Sequence, residues 1–268
     1  MKDRLLYPLK KGDGFVWCFG ILGALLLLFV LFPILATLMG TSLSALLETL
    51  RDPEAISALA LTFYAALWAT ALAFIGGIPL AYLLARYEFR GKTWVQGLVN
   101  LPIVIPHTAA GIALLMVFTS QSGVGAAFDE LGISFVDSLP GIVVGMLFVS
   151  LPFLVNSARE AFALVDPELE RVALSDGASR WGAFFRVTLP LAWRGVMAGV
   201  LMMWGRGISE FGAIVILAYH PKTISVLIYE RFSGYGLTYA LPLTVILILA
   251  SLLVFLLVNF LLKVRAVE

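Results

Sequence analysis

Arg206 and Glu210 lie within a long apolar stretch of the chain, where an ionisable side chain needs a partner or a water-filled cavity. Four residues apart on a helix, they point the same way and can neutralise each other. Two readings stay open. The pair is self-satisfied and sets helix packing, or Arg206 borders an anion pathway while Glu210 keeps it from holding the anion permanently. His107 follows Pro102 and Pro106 in another apolar run. Prolines there kink the helix and free carbonyls, which predicts a bent helix lining a gate, with His107 a hydrogen-bonded packing residue. The other histidine is His220, and neither has acidic or cysteine companions at ligand spacing, so no metal site is expected. Cys18 is the single cysteine, which rules out an intrachain disulfide or a cysteine cluster. No triad or carboxylate pair suited to hydrolysis can be assembled. Gly91-Lys92-Thr93 has the look of the end of a phosphate-binding loop. Arg86 stands where such a loop requires glycine, and no strand precedes it. Neither a cofactor nor an ATPase site of its own is expected, and the chain is not read as an enzyme.

The elements that must position these residues are set by composition. Of 268 residues, 61% are hydrophobic and 13% charged, with a mean hydropathy of +0.99. That is too apolar for an ordinary soluble domain, so lipid is the solvent for much of the chain. A spanning helix needs roughly 20 mainly apolar residues. Six segments qualify, at about 15–41, 57–87, 94–119, 139–164, 195–219 and 238–262. Backbone groups in lipid have no water to bond, so helices are demanded. A barrel strand would alternate apolar and polar residues, and Leu25-Leu26-Leu27-Leu28-Phe29-Val30-Leu31 does not. The expected fold class is an all-α membrane protein, a single transmembrane domain over 1–268 with six transmembrane helices. The basic stretch Met1–Lys11 precedes an apolar run longer than a signal peptide's and is read as leading into an uncleaved first helix.

Basic residues give the orientation. Apart from Arg51, Arg206, Lys222 and Arg231, the Lys and Arg, 14 of 18, fall before the first span, around the second-to-third and fourth-to-fifth connections, or after the sixth. Both termini are therefore expected in the cytoplasm. The external loop 120–138, with Asp129, Glu130 and Asp137 but no Lys or Arg, agrees. Gly141-x-x-x-Gly145 and Gly195-x-x-x-Gly199 predict close helix contacts within the chain.

The cytoplasmic connection 165–194 reads as two short helices and a turn. Asp166-Pro167-Glu168 supplies an N-cap, a proline preset for the first helical position and an acid at the positive end of the dipole. The helix runs through Glu170, Ala173 and Leu174, and Gly177 ends it. Ser179 caps a second helix carrying Trp181, Phe184, Phe185 and Val187, which Pro190 is expected to stop. This amphipathic pair either lies on the bilayer surface or docks a cytoplasmic partner.

Glu170-Arg171-Val172-Ala173-Leu174-Ser175-Asp176-Gly177-Ala178-Ser179, followed by Val187-Thr188-Leu189-Pro190, resembles the "EAA" loop of ABC importer permeases, although Arg171 and Val172 occupy places where Glu and Ala are usual. Gly207-Ile208-Ser209-Glu210-Phe211-Gly212-Ala213, Ala218-Tyr219-His220-Pro221, Val226-Leu227-Ile228-Tyr229-Glu230-Arg231-Phe232 and the segment from Leu101 to Leu115 resemble the molybdate/tungstate permeases, with sulfate permeases as near relatives. The resemblance implies a type I importer permease in the cell membrane. It implies a homodimer of this chain, two copies of a cytoplasmic ATP-binding subunit, an extracytoplasmic solute-binding protein and no nucleic acid. It assigns ATPase coupling to Glu170, Ala173, Gly177, Ala178, Ser179, Leu189 and Pro190. It makes Pro106, His107, Arg206, Ser209, Glu210 and Phe211 pathway or gate candidates. A sulfate/thiosulfate permease is the alternative. A self-contained secondary transporter would show inverted-repeat halves with polar midplane groups in each.

Overall fold

A computed structural model describes residues 14–264, with side chains through residue 256. The basic stretch Met1–Lys11 and Arg265, used above for orientation, lie outside the described residues. In chain order the helices are α1 Gly14–Met39, α2 Leu43–Thr49, α3 Pro53–Arg86, α4 Lys92–Val104, α5 His107–Phe118, α6 Gly123–Asp129 and α7 Leu139–Ala163. There follow α8 Pro167–Ser175, α9 Arg180–Ala183, a π-helical turn Phe184–Thr188, α10 Leu189–Ile208, α11 Ile214–Leu217, α12 Ile224–Tyr235 and α13 Leu237–Val264. Five helical runs are long and apolar enough to cross a membrane, six if α4 and α5 count as one span.

Local chemistry sets the boundaries. Asp52 caps α3 by accepting from the Glu54 amide, Pro53 takes the first turn, and Glu54 sits at the positive end of the dipole. Ser138 caps α7 through the Gly141 amide. At two places the helices depart from the spans expected above. Span 94–119 is two helices meeting at 115°. Ile105, directly before Pro106, is extended with ψ 144, because the proline ring excludes the helical conformation from the residue ahead of it. The fifth span is shifted as well. Pro190 does not stop the helix before it, and Arg180–Ile208 forms one run of 29 residues. The Leu189 amide bonds the Phe184 carbonyl in the wider π register, and that register accommodates Pro190, which has no amide to offer. This run ends at Ile208 instead of continuing to Tyr219.

The core is the seam where α3, α7 and α10 meet. Ala65, Ala66, Ala69, Ala73 and Ala81 of α3 are buried there, and small side chains let apolar helices approach closely. A Cβ on Gly195 would sit 2.5 Å from Ala161 Cβ, and one on Gly199 2.8 Å from Ser157 Cβ. Ser157 Oγ donates to the Gly195 carbonyl at 3.0 Å. Gly145 faces Ile214, so both glycine pairs make contacts inside the chain, as expected. On the outer side, Thr62 Oγ1 accepts from the Ile224 amide at 2.8 Å. Arg231 pairs with Asp52, and Lys222 reaches Glu54 at 3.0 Å and Glu230 at 2.7 Å. These contacts clamp α12 to the start of α3. No described residue of α1 is buried.

Candidate functional site

The 115° break between α4 and α5 and the end of α10 meet, and the polar residues of both apolar runs converge there. Glu210 is past the end of α10 and only 1% exposed. A carboxylate so placed must be compensated. Its Oε2 lies 3.0 Å from Arg206 Nη2 and 3.0 Å from His107 Nδ1, while Oε1 accepts from the Ala213 amide at 2.8 Å. Glu210 thus neutralises Arg206 and also satisfies an amide at the start of α11. Arg206 Nη2 also lies 2.8 Å from His107 Nδ1, and Nη1 donates to Ser209 Oγ at 3.2 Å. Glu210 forms the buried floor of the cluster, whereas Ser209 is exposed and the side chains of His107 and Arg206 are 34% and 21% exposed. Donor groups therefore lie at an open edge, backed by one fixed negative charge.

Close backbone approach makes this junction possible. A Cβ on Gly212 would come within 2.7 Å of His107 Cβ, and one on Gly111 within 2.8 Å of the Ala213 carbonyl. Pro106 sits at the N-cap of α5 and aims its first turn, with His107, at Arg206. Phe211 turns away and packs on Tyr229, ring centroids 4.9 Å apart. An apolar groove of about 460 Å³ lies between α10 and α13; Ser209 and Ser251 are the hydroxyls in a lining otherwise made of residues such as Trp204, Leu247 and Phe255, and no charged side chain lines it.

The 165–194 loop divides into an inner and an outer face. Leu169, Val172, Leu174, Trp181 and Phe185 are exposed, Trp181 at 73%, and Trp181 stacks on Phe185 at 5.9 Å. Gly177 makes the turn at φ +91, a conformation glycine adopts freely, and Ser179 Oγ accepts from the Gly182 amide at 3.1 Å. Leu189 packs against the core and Pro190 is exposed at the start of α10. Glu170 faces inward. Its carboxylate accepts from Tyr82 Oη at 2.9 Å, Arg86 Nε at 2.8 Å and Thr188 Oγ1 at 2.7 Å. Arg86 Nη2 holds the Val165 carbonyl at 2.9 Å. Ala173 and Ala178 are half-buried on the same side. Sequence reasoning missed Tyr82, Arg86 and Thr188. The available signal was Tyr82 and Arg86 at i, i+4, two hydrogen-bonding side chains on one face at the end of an apolar helix.

The described residues form a helical, multi-pass membrane protein with a broken span, a long helical rod and a structured 165–194 loop. The chain belongs to the family of binding-protein-dependent transport system inner membrane components, which matches residues 77–265. It is 42% identical over 253 residues to the molybdate/tungstate transport system permease protein WtpB of Thermococcus kodakarensis, covering 94% of this chain and 97% of that one. The protein of the same name from Pyrococcus furiosus is 43% identical over 255 residues, covering 94% and 97%. The fold is similar to that of a bacterial ABC transporter involved in the import of the acidic polysaccharide alginate, with a TM-score of 0.70, 19% identity and coverage of 92% and 96%.

Proposed function

We propose that this chain is the membrane-spanning subunit through which an ABC importer carries molybdate or tungstate into the cell, driven by ATP hydrolysis on a separate cytoplasmic subunit. The observation that carries this reading is the unbroken run Arg180–Ile208. At about 1.5 Å per residue it is a rod roughly 43 Å long. One end bears the exposed Trp181 and Phe185, and the other bears Arg206 and the edge formed with Ser209 and His107. A push on the loop is delivered to the polar cluster with no hinge between except the π-helical turn.

Two copies of the chain facing each other would present two Arg206–Ser209 edges to a central pathway. A tetrahedral dianion suits guanidinium and hydroxyl donors. Glu210, fixed beneath each arginine, lowers the affinity so that the anion passes on. An external solute-binding protein delivers the anion, and two ATPase subunits take the exposed apolar faces of the 165–194 loops. Their closure moves the loops as rigid bodies. WtpB relatives match nearly the whole chain, and their substrates are the ones assigned here.

The test is reconstitution of the complex with Trp181→Glu in the loop and, separately, Arg206→Met at the edge. Trp181→Glu is expected to release the ATPase subunit on purification. Arg206→Met is expected to retain it and to lose ATP-driven uptake of labelled tungstate. An Arg206→Met complex that transports at the wild-type rate would overturn the pathway assignment. Uptake of sulfate in preference to both other oxyanions would favour the sulfate-permease reading.

A further inference from the structure

The 165–194 loop contains a carboxylate that points into its own chain. Every residue of α8 and the following turn is exposed except Glu170, Ala173 and Ala178, and the Glu170 side chain is only 14% exposed. Three donors from two other elements converge on it, Tyr82 and Arg86 from α3 and Thr188 from the π-helical turn. Thr188 is itself fully buried. The ring of Tyr82 stands edge-on to Phe162 of α7 at 5.7 Å and to Phe184 at 4.9 Å. Arg86 completes the junction by holding Val165, the residue that links α7 to α8. One side chain therefore ties α8 to α3, and through Thr188 to the rod that ends at Arg206.

The geometry points to Glu170 as the positioning residue of the transmission, a latch that makes α8, α3 and the π-helical turn move as one body when the ATPase subunit moves. This inference rests on the proposed importer function. Docking belongs to the opposite, apolar face of the loop at Leu169, Val172, Trp181 and Phe185. All three bonds are charge-assisted, since each ends on the carboxylate, and Arg86 adds an opposite charge at 2.8 Å, so the Arg86–Glu170 contact is the main fastening and the two hydroxyls add direction. With the carboxylate removed, α8 can still bind the ATPase subunit but slides against α3 instead of pulling it. ATP is then spent without movement of the anion.

The experiment uses the whole complex in proteoliposomes and reads tungstate ions imported per ATP hydrolysed, together with the amount of ATPase subunit that co-purifies. Glu170→Ala is expected to keep co-purification within about twofold of wild type and to lower the import ratio at least tenfold, as the loss of several bonds worth about a factor of 2–10 each requires. Glu170→Gln keeps an oxygen and an amide but loses the charge, and should fall between. A spin-label pair on Arg171 and Glu88, both exposed, should give one narrow distance in wild type and a broadened one in Glu170→Ala, a readout that loss of docking would not produce. Loss of co-purification in parallel with transport would make Glu170 a docking residue and overturn the latch. An unchanged import ratio would overturn it too. If Glu170→Ala does not fold, Tyr82→Phe and Thr188→Val, each removing one donor, decide: a ratio lowered about twofold or more supports the latch, and wild-type ratios overturn it. Absence of ATP-driven uptake in the wild-type complex would instead overturn the importer reading itself.

Discussion

Replacing Glu210 by alanine removes its contact with His107 and two larger things, which a pair of further variants separates. The first is the acceptor of the Ala213 amide, whose loss in a buried place costs about 1–3 kcal/mol. The second is the counter-charge of Arg206. Breaking a fully buried pair costs about 3–5 kcal/mol, but the arginine side chain is 21% exposed and recovers some hydration, so about 2 kcal/mol is the working figure. Glu210→Ala should therefore lose about 4 kcal/mol, which at about 2–4 °C per kcal/mol lowers the unfolding midpoint by about 10 °C. Glu210→Gln keeps an oxygen for Ala213 and should lose about 2 kcal/mol, or roughly 5 °C. Adding Arg206→Met to Glu210→Gln removes the stranded charge and should return stability to within about 1 kcal/mol of wild type. The assay is thermal unfolding in detergent, followed by tryptophan fluorescence. Glu210→Gln as unstable as Glu210→Ala, or a double variant no better than Glu210→Gln, would refute the assignment of separate roles. The same double variant decides between the two readings of the pair. A packing pair would leave transport intact when stability is recovered, whereas a pathway pair would leave a stable permease that does not transport.

Three further predictions follow from the close approaches and the outer clamp. Gly212→Ala places a Cβ 2.7 Å from His107 Cβ. It should cost about 1–3 kcal/mol in the same unfolding assay and displace the histidine from Arg206, lowering transport as well. Gly195→Val pushes against Ala161 across a 2.5 Å gap, and should separate α7 from α10 with a loss of about 1–3 kcal/mol or more, read as a lowered midpoint and earlier aggregation. At the outer clamp, the hydrogen bond from Arg231 holds the Asp52 carboxyl below the usual carboxylate range, and Lys222 does the same for Glu230. Glu230 and Glu54 in turn raise the Lys222 ammonium. The acids' contribution is present above the ordinary carboxylate pKa and is lost as pH falls through the lowered values. The lysine's is present below its ordinary pKa and is lost as pH rises through the raised one. The clamp should therefore be constant from about pH 5 to pH 10. Arg231→Met should lower the midpoint at pH 7 and make less difference at pH 3, and an equal loss at both would refute the ionic assignment.

Much of this was legible from local pattern. Apolar runs longer than a bilayer located the helices, and Arg206 and Glu210 four apart were correctly read as able to pair. Pro106 announced a bend, but not that the bend would reach 115°, since the angle depends on how α5 packs against α11. Pro190 misled, because a proline ends a regular helix while a π-helical turn just ahead of it accommodates the ring. The contacts that define both polar clusters are the least local. His107 and Arg206 are 99 residues apart, and Tyr82 and Glu170 are 88. No periodicity joins them; the close approach of α5 to the segment that leads into α11 makes the first cluster, and the seating of α8 against α3 and the π-helical turn makes the second. The inward turn of Glu170 follows from the same packing, since α8 alone offers that carboxylate no donor of its own inward face.

The central claim is that motion of the 165–194 loop, driven by ATP on another chain, is passed along Arg180–Ile208 to an oxyanion pathway at Arg206. It is tested most directly by measuring labelled molybdate and tungstate uptake into proteoliposomes holding this chain with its ATPase subunit, with loaded binding protein on the opposite face and ATP supplied or withheld. The account predicts uptake that requires ATP, stops when Trp181→Glu releases the ATPase subunit, and stops in Arg206→Met although that subunit stays bound. Uptake of either oxyanion by this chain alone, at the same rate with and without ATP, would contradict it.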